Sequence, residues 1–546
     1  MPSNGDVAQH ITAGIPGAEC RPGRRSAGRR LSVGALVLGA IGLSACGGGS
    51  AGAPSSGGGS GATPASGTAA AAAPVDTTKT VLNLALSQEP PNFDYIAGPS
   101  TAIKNVIGLN VIETLFERTD KGELEPLLAK SYKTGHQGRD YTFVLRNANF
   151  QDGTPMTSAD VVYSMQQYRK GANASVSAPY KVVRSIDAVD DHTVHVRLSK
   201  PSNSFLGSLA TEAGFVIKKG TAPDLKTKPM GTGPFRFTSW RQGVGLTLQR
   251  FDGYWGKAPA LKTVNVRYVT DPNSILNQLR AGQVDAAVLT GDQLEGLAAD
   301  PRFAIHRIRT SEKMYFALNA KDPAFKDSRV REALNRAIDP KAIVKGVLNG
   351  LGTPMCVLYS PGEPGFTPDC PYPYDPGRAK ELLAAAGASH LTVRLKFIKD
   401  GAAFSAMSDI VASELKRVGV NVVRQPRDLP TYLKEVIGPT SINFQTTVIS
   451  GPQGLDNWRC PGFFVGYCDK KMDELLDQAE ATTDQAQYAN LRQQAALQYA
   501  KDGFVRVLTS GDQAMATAKA VVGIRPTIIP LAELDLRGVY WSKATS

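Results

Sequence analysis

Segments of strand period and helix period alternate irregularly from Thr80 to Asp502, and no internal repeat of fixed period interrupts them. That pattern predicts a mixed α/β protein. At 546 residues the chain is too long for one ordinary core, so two or three lobes are expected. Thr80–Ser87, Tyr141–Leu145, His192–Leu198, Leu246–Gln249, Thr263–Tyr268, Leu391–Ile398 and Val420–Arg424 read as strands. Helical spacing marks residues 101–117, Ser274–Ala281, Asp327–Leu348, Pro376–Ala386, Ala406–Val418, Lys470–Glu480 and Thr483–Asp502. Thr157, with Asp160 three residues on, reads as the N-cap of a further helix. No run of ~18 apolar residues exists that could span a bilayer.

The first eighty residues carry a different kind of information. Arg21, Arg24, Arg25, Arg29 and Arg30 precede a short apolar stretch, Leu31 to Ala45, which has the length of a secretory signal core and is short for a membrane span. It ends in Leu43-Ser44-Ala45-Cys46 followed by Gly47, which resembles the lipobox of bacterial lipoproteins, in which the cysteine thiol is acylated and becomes the new N-terminus. Residues 1–45 are therefore expected to be a lipoprotein signal peptide, and Cys46 a lipid anchor at the outer face of a cell membrane. Residues 46–79 are dominated by Gly, Ser, Ala, Pro and Thr, cannot bury enough apolar surface to fold, and read as a flexible tether. The Gly48-Gly49-Ser50-Ala51-Gly52 match to a hydrolase elbow lies in this low-complexity stretch, without the strand–turn–helix setting the motif needs.

Five arginines against Asp6 and Glu19 place three of the twelve net positive charges before Cys46 and nine after it. The later charges are interspersed with acids and form no basic run, which argues against nucleic acid as a partner. Cys356, Cys370, Cys460 and Cys468 are an even set in an exported chain, where disulfides persist. Four cysteines allow three pairings; proximity favours Cys356–Cys370 and Cys460–Cys468, and the spacings are not those of a zinc knuckle.

Four blocks carry a family resemblance. The first is Tyr141-Thr142-Phe143-Val144-Leu145-Arg146, then Phe150, Asp152-Gly153-Thr154-Pro155 and Ala159-Asp160-Val161-Val162. The second is Gly231-Thr232-Gly233-Pro234-Phe235, followed by Tyr254-Trp255 and Ala281-Gly282-Gln283-Val284-Asp285. The third runs from Phe316-Ala317-Leu318-Asn319 to Ala337-Ile338-Asp339, and the fourth is Tyr374-Asp375-Pro376 with Ala386-Gly387. In this order they resemble the family 5 extracellular solute-binding proteins, which include dipeptide, oligopeptide and nickel binders. The resemblance implies a two-lobed, type II periplasmic-binding-protein-like α/β fold with an extra subdomain and a ligand cleft between the lobes. Carried over, lobe I comprises residues 80–117, 196–312 and 505–546, the subdomain 118–195, and lobe II 313–504. It also implies a monomer that hands a small polar solute, such as an oligopeptide, to ABC permease and ATPase subunits.

The ligand is less legible. In many peptide binders an Asp shortly after a Trp in lobe II meets the peptide ammonium; here those places fall near Ile449 and Pro452, and Asp456 follows a few residues on. A buried ammonium without an anion would cost several kcal/mol, so either Asp456 substitutes or the ligand has no free amine there. Gly98, Ser100 and Tyr180 from lobe I and its subdomain, with Tyr315, Ser450, Asp456 and Trp458 from lobe II, are the expected cleft residues. Metal chelates, sugars and opine-like compounds are alternative ligands; an envelope hydrolase or a structural lipoprotein is the alternative of another class. The sequence has no HExxH, Walker A loop or dinucleotide fingerprint, and neither cofactor nor metal is expected.

Overall fold

The computed structural model describes residues 73–98, 100–119, 122–289, 291–294, 296–399, 401–437, 444–451, 454–525 and 534–543. The expected signal peptide, Cys46 and the expected tether up to residue 72 lie outside the described residues. No helix among the described residues is long and apolar enough to cross a membrane.

Two large apolar cores organise the chain. The first gathers Leu82, Leu84, Phe93, Ile107, Phe143, Val161, Leu248, Val264 and Trp541, so the small four-stranded sheet that contains Tyr141 and Phe143 shares its core with the surrounding lobe. The second gathers Phe316, Leu334, Leu383, Leu395, Val411, Val448, Trp458 and Val505. One 11-stranded sheet runs through both. From one edge its order is Asn421–Arg427, Thr392–Ile398, Thr446–Gly451, Phe303–Leu318, Val505–Ala518, Ala286–Leu289, Val81–Leu86, Thr263–Tyr268, Gly245–Arg250 and Phe235–Arg241, with Gly352–Pro354 pairing alongside Val505–Ala518.

Phe303–Leu318 and Val505–Ala518 are long antiparallel partners that pass from one core to the other. Ile308 and Met515 pack in the first core, whereas Met314 to Leu318 and Val505, Val507 and Leu508 pack in the second. The ladder between these strands shifts register between Arg309 and Lys313 and again at Met314/Tyr315. Bulges of this kind concentrate twist, and here they sit where the chain leaves one core for the other.

The spacing predicts one helix from Asp327 to Leu348; the structure breaks it into Ser328–Ala337 and Pro340–Leu348. Pro340 cannot donate within a helix, but it suits a first turn, and Asp339 caps that turn by accepting from the Lys341 backbone N–H at 2.9 Å. The helical spacing at 101–117 likewise covers only Thr101–Ile107, after which the chain turns through Leu109 at φ 58° and re-enters as the strand Phe116–Arg118. Buried residues on every side of 108–115 mimic a helical stripe. Thr157 does begin the helix Ser158–Lys170, and its backbone N–H donates to the Asp160 carboxylate at 2.8 Å.

The Gly231–Phe235 block is a structural clasp. A Cβ on Gly231 would lie 2.4 Å from the Val111 carbonyl oxygen, and one on Gly233 2.6 Å from that of Asn110. The buried Gln151 amide donates to the carbonyls of Val111, Gly233 and Phe235 and accepts from the Gly231 N–H. Beside it Glu113, fully buried, accepts from Thr232 Oγ1 at 2.8 Å, Tyr254 Oη at 2.7 Å and Trp255 Nε1 at 2.8 Å. Tyr254 and Trp255 therefore hold an internal carboxylate. Burial pushes the Glu113 carboxyl up to about 7, against the pull of those three hydrogen bonds. An acid whose folded pKa is raised contributes most below its unfolded value, and that contribution is lost as pH rises toward the folded value. Denaturant unfolding between pH 5 and 8 is expected to show stability falling with pH by roughly 3 kcal/mol at most from this group. Glu113→Gln should flatten that slope, and an unchanged slope would remove Glu113 as its source.

Candidate functional site

The strand Thr446–Gly451 runs beside the crossing strand Phe303–Leu318, so that Tyr315 faces Ile449 and Met314 faces Ser450. Beyond Gly451 the turn Leu455–Trp458 carries Asp456 and sets the Trp458 ring against that of Tyr315. Tyr315 donates to the Gly451 carbonyl at 3.1 Å, and its ring meets that of Trp458 edge-on at 6.0 Å. Trp458 is fully buried among Tyr315, Phe463, Phe464 and Tyr499, and its indole N–H has no partner among the described residues. Ser450 is half-buried and hydrogen-bonds the Glu312 carboxyl, which burial pushes up, offset in part by Ser450 and Lys313.

Asp456 is not a bare anion. Its carboxylate pairs with Arg492 Nη2 at 3.0 Å and Arg459 Nε at 3.3 Å. Enclosure pushes the Asp456 carboxyl up, but the charges of Arg492 and Arg459 outweigh this and hold it below the usual carboxylate range. Arg492, on the helix Gln485–Asp502, is itself buried, stacks on the rings of Tyr359 and Tyr488, and reaches Glu480 at 3.8 Å. Glu480 in turn accepts from Ser202 Oγ at 2.9 Å, the Ser204 N–H at 3.1 Å and Ser204 Oγ at 2.8 Å. Asn203 donates to the Thr482 carbonyl and accepts from Gln485. Because Phe205 and Leu206 belong to the first core and Leu476 and Tyr499 to the second, these hydrogen bonds join the two lobes away from the crossing strands.

Of the seven residues expected to face a ligand, Tyr315, Ser450, Asp456 and Trp458 are thus brought together. Gly98, Ser100 and Tyr180 lie with the other core. Gly98 has open space where a Cβ would stand, and Ser100 precedes the helix Thr101–Ile107 without capping it through its side chain. Tyr180 is a correction: its hydroxyl donates to the Ala213 carbonyl and its ring packs against Tyr168 and Phe205, so it is a core residue and its polar tip is already used. Sequence reasoning missed Arg492, Glu480, Ser202 and Ser204. Their partners lie up to 278 positions away, and no local pattern marks them. The cysteines pair as Cys356–Cys370 and Cys460–Cys468.

Two lobes crossed by a pair of strands, with polar side chains gathered beside the crossing, define a bilobal binding protein. Residues 123–458 match the bacterial extracellular solute-binding proteins, family 5 middle, and the chain belongs to that family. It is a substrate-binding component of ABC import and not an enzyme. The chain is 26% identical over 414 residues to the glutathione-binding protein GsiB of Escherichia coli K12, covering 71% of this chain and 81% of that one. It is 26% identical over 456 residues to the oligopeptide-binding protein AppA of Bacillus subtilis, covering 76% and 83%. Among solved structures it is similar to the binding protein AgaA of A. tumefaciens R10 in complex with agropinic acid (26% identity, TM-score 0.67, 85% of this chain and 99% of that one). The unliganded open form of the murein tripeptide-binding protein MppA shares the fold with TM-score 0.77 at 22% identity, over 87% and 99%.

Proposed function

We propose that this chain is the lipid-anchored capture component of an ABC importer, acylated at Cys46 and working as a monomer outside the cell membrane. Lobe I and its subdomain comprise residues 80–117, 118–195 and 196–312 and the C-terminal segment, and lobe II runs from about residue 313 to the second crossing. A peptide-like or other small polar solute binds in the cleft, lined by Ser450 and Asp456, which are set over the buried rings of Tyr315 and Trp458, with Gly98 and Ser100 opposite. Hinge motion at the crossing strands then makes a ligand-dependent surface for the permease. The observation that carries this reading is the polar cluster Asp456–Arg492–Glu480, which ties the ligand-side turn to hydrogen bonds across the lobes.

A second reading concerns the ligand. Asp456 already has two guanidinium partners, so it offers little to a peptide ammonium, and an opine-like ligand without a free amine at that place suits the cluster better. The likeness to AgaA with agropinic acid supports this branch, and those to GsiB and AppA support the peptide branch. Mass spectrometry of ligand carried through purification, followed by calorimetry with di- to pentapeptides, glutathione and an opine, separates them. Saturable heat with peptides upholds the first and heat with the opine alone the second. No saturable heat and no co-purified solute would overturn solute capture.

A further inference from the structure

Arg506 lies on the crossing strand Val505–Ala518, facing Phe316, and is only 3% exposed. Its Nη1 stands 3.2 Å from Cys356 Sγ and 3.3 Å from Cys370 Sγ, the two sulfurs of one disulfide. Its Nε has no hydrogen-bond partner, and the guanidinium makes no ion pair among the described residues. Asp339 and Arg336 are the charged groups whose fields reach it. Burial pushes the guanidinium down to about 10, which leaves it cationic at neutral pH. A buried cation is ordinarily matched by an anion. Here it faces a neutral disulfide, a weak acceptor that does not match its charge.

Reduction would supply the missing anion, since a cysteine beside a cation ionises more readily and is stabilised as thiolate. We propose that Cys356–Cys370 is an exchange-competent disulfide, a modification site for small-molecule thiols, with Arg506 holding the departing sulfur as its thiolate. In the first step an incoming thiolate forms a bond to one cysteine sulfur, the Cys356–Cys370 bond breaks, and its electron pair leaves on the other cysteine. A second external thiolate then bonds to the small-molecule sulfur of the mixed disulfide, the bond from that sulfur to the cysteine breaks, and the cysteine sulfur leaves with the electron pair and takes a proton from water, releasing the small disulfide. Two electrons pass from the external thiols to the protein.

The cleft-side groups inside the bridged loop give this exchange a consequence. Tyr359 stacks on Arg492, and Glu363 pairs with Lys313 at 3.0 Å. Opening the bridge frees the loop that carries both, so the exchange acts on the ligand cluster of the proposed function and rests on that reading only for its effect on ligand affinity.

The second disulfide of the same chain is the internal reference. The full chain is equilibrated in reduced and oxidised dithiothreitol at pH 7, free thiols are trapped by alkylation, and peptides from both bridges are quantified. Cys356–Cys370 is expected to be at least tenfold easier to reduce than Cys460–Cys468, a separation of about 30 mV. Arg506→Met should abolish the difference and Arg506→Lys keep part of it. In reduced wild-type protein, alkylation of Cys356 or Cys370 should titrate below the ~8.5 of a free thiol. Equal reduction midpoints for the two bridges, an unchanged midpoint in Arg506→Met, or a thiol titrating at or above the free value would each overturn the proposal. None of these readouts requires the ligand, so the exchange and solute capture fail separately.

Discussion

Trp458→Ala is expected to lower the unfolding free energy by about 3–5 kcal/mol, the range for deleting a large aromatic from a packed interior. The ring is fully buried, with neighbouring ring centroids at 5.4 Å for Phe463, 5.5 Å for Phe464, 5.8 Å for Tyr499 and 6.0 Å for Tyr315. A methyl group cannot fill that space, and the turn Leu455–Trp458 that carries Asp456 would lose its anchor. Trp458→Phe keeps an aromatic in the cluster and removes a donor that has no partner among the described residues, so its cost should stay below about 1.5 kcal/mol. Urea unfolding of both variants, with ligand titration well below their melting points, distinguishes support from contact. If Trp458 acts as the floor on which Asp456 is set, Trp458→Phe binds ligand within about threefold of wild type. A large affinity loss at unchanged stability would place the indole on the ligand itself.

The same residue shows how far sequence reasoning reaches. Short strands with strict alternation, such as Thr263–Tyr268, are legible because a half-buried sheet imposes a period of two. Helix starts are legible where an aspartate precedes a proline: Asp271, Asp339 and Asp375 each accept from a backbone N–H of the first turn. The break at Pro340 was therefore written in the chain, although the apolar stripe ran straight through it. Proximity also sufficed for the two disulfides, since loops this short leave few other geometries. In the proposed lobe II half of the site, the closeness of Tyr315 to Ile449 and Ser450 follows from strand order, which sets them side by side. The electrostatics of that half were not legible. Asp456 looks like a ligand anchor in sequence and is a matched ion in space, because the arginine that matches it lies 36 residues away on another helix. Tyr180 failed for a related reason: an aromatic with a polar tip suits a cleft and an interior equally, and only the Ala213 carbonyl decides between them.

Arg492→Met should cost about 3 kcal/mol in stability and weaken ligand binding at least tenfold, because one guanidinium serves three purposes at once. It matches Asp456, reaches Glu480 and fills the space between the rings of Tyr359 and Tyr488. Removing it leaves Asp456 with only Arg459, whose side chain is 27% exposed and also serves Asp477. Glu480, which collects three hydrogen bonds from Ser202 and Ser204, would then have no positive partner within ion-pair reach among the described residues. Arg492→Lys should recover only part of the loss, since an ammonium cannot present a planar fork to two carboxylates while lying flat between two rings. Arg459→Met is the matched control: it removes a half-solvated partner of the same Asp456 and should cost no more than about 1 kcal/mol. Denaturant unfolding gives the stability term, and calorimetry with the co-purified solute gives the affinity term. If Arg459→Met costs as much as Arg492→Met, the cluster is a surface ion pair with no privileged centre. If Arg492→Met instead unfolds more easily yet binds the solute as tightly as wild type, the cluster braces lobe II and takes no part in capture.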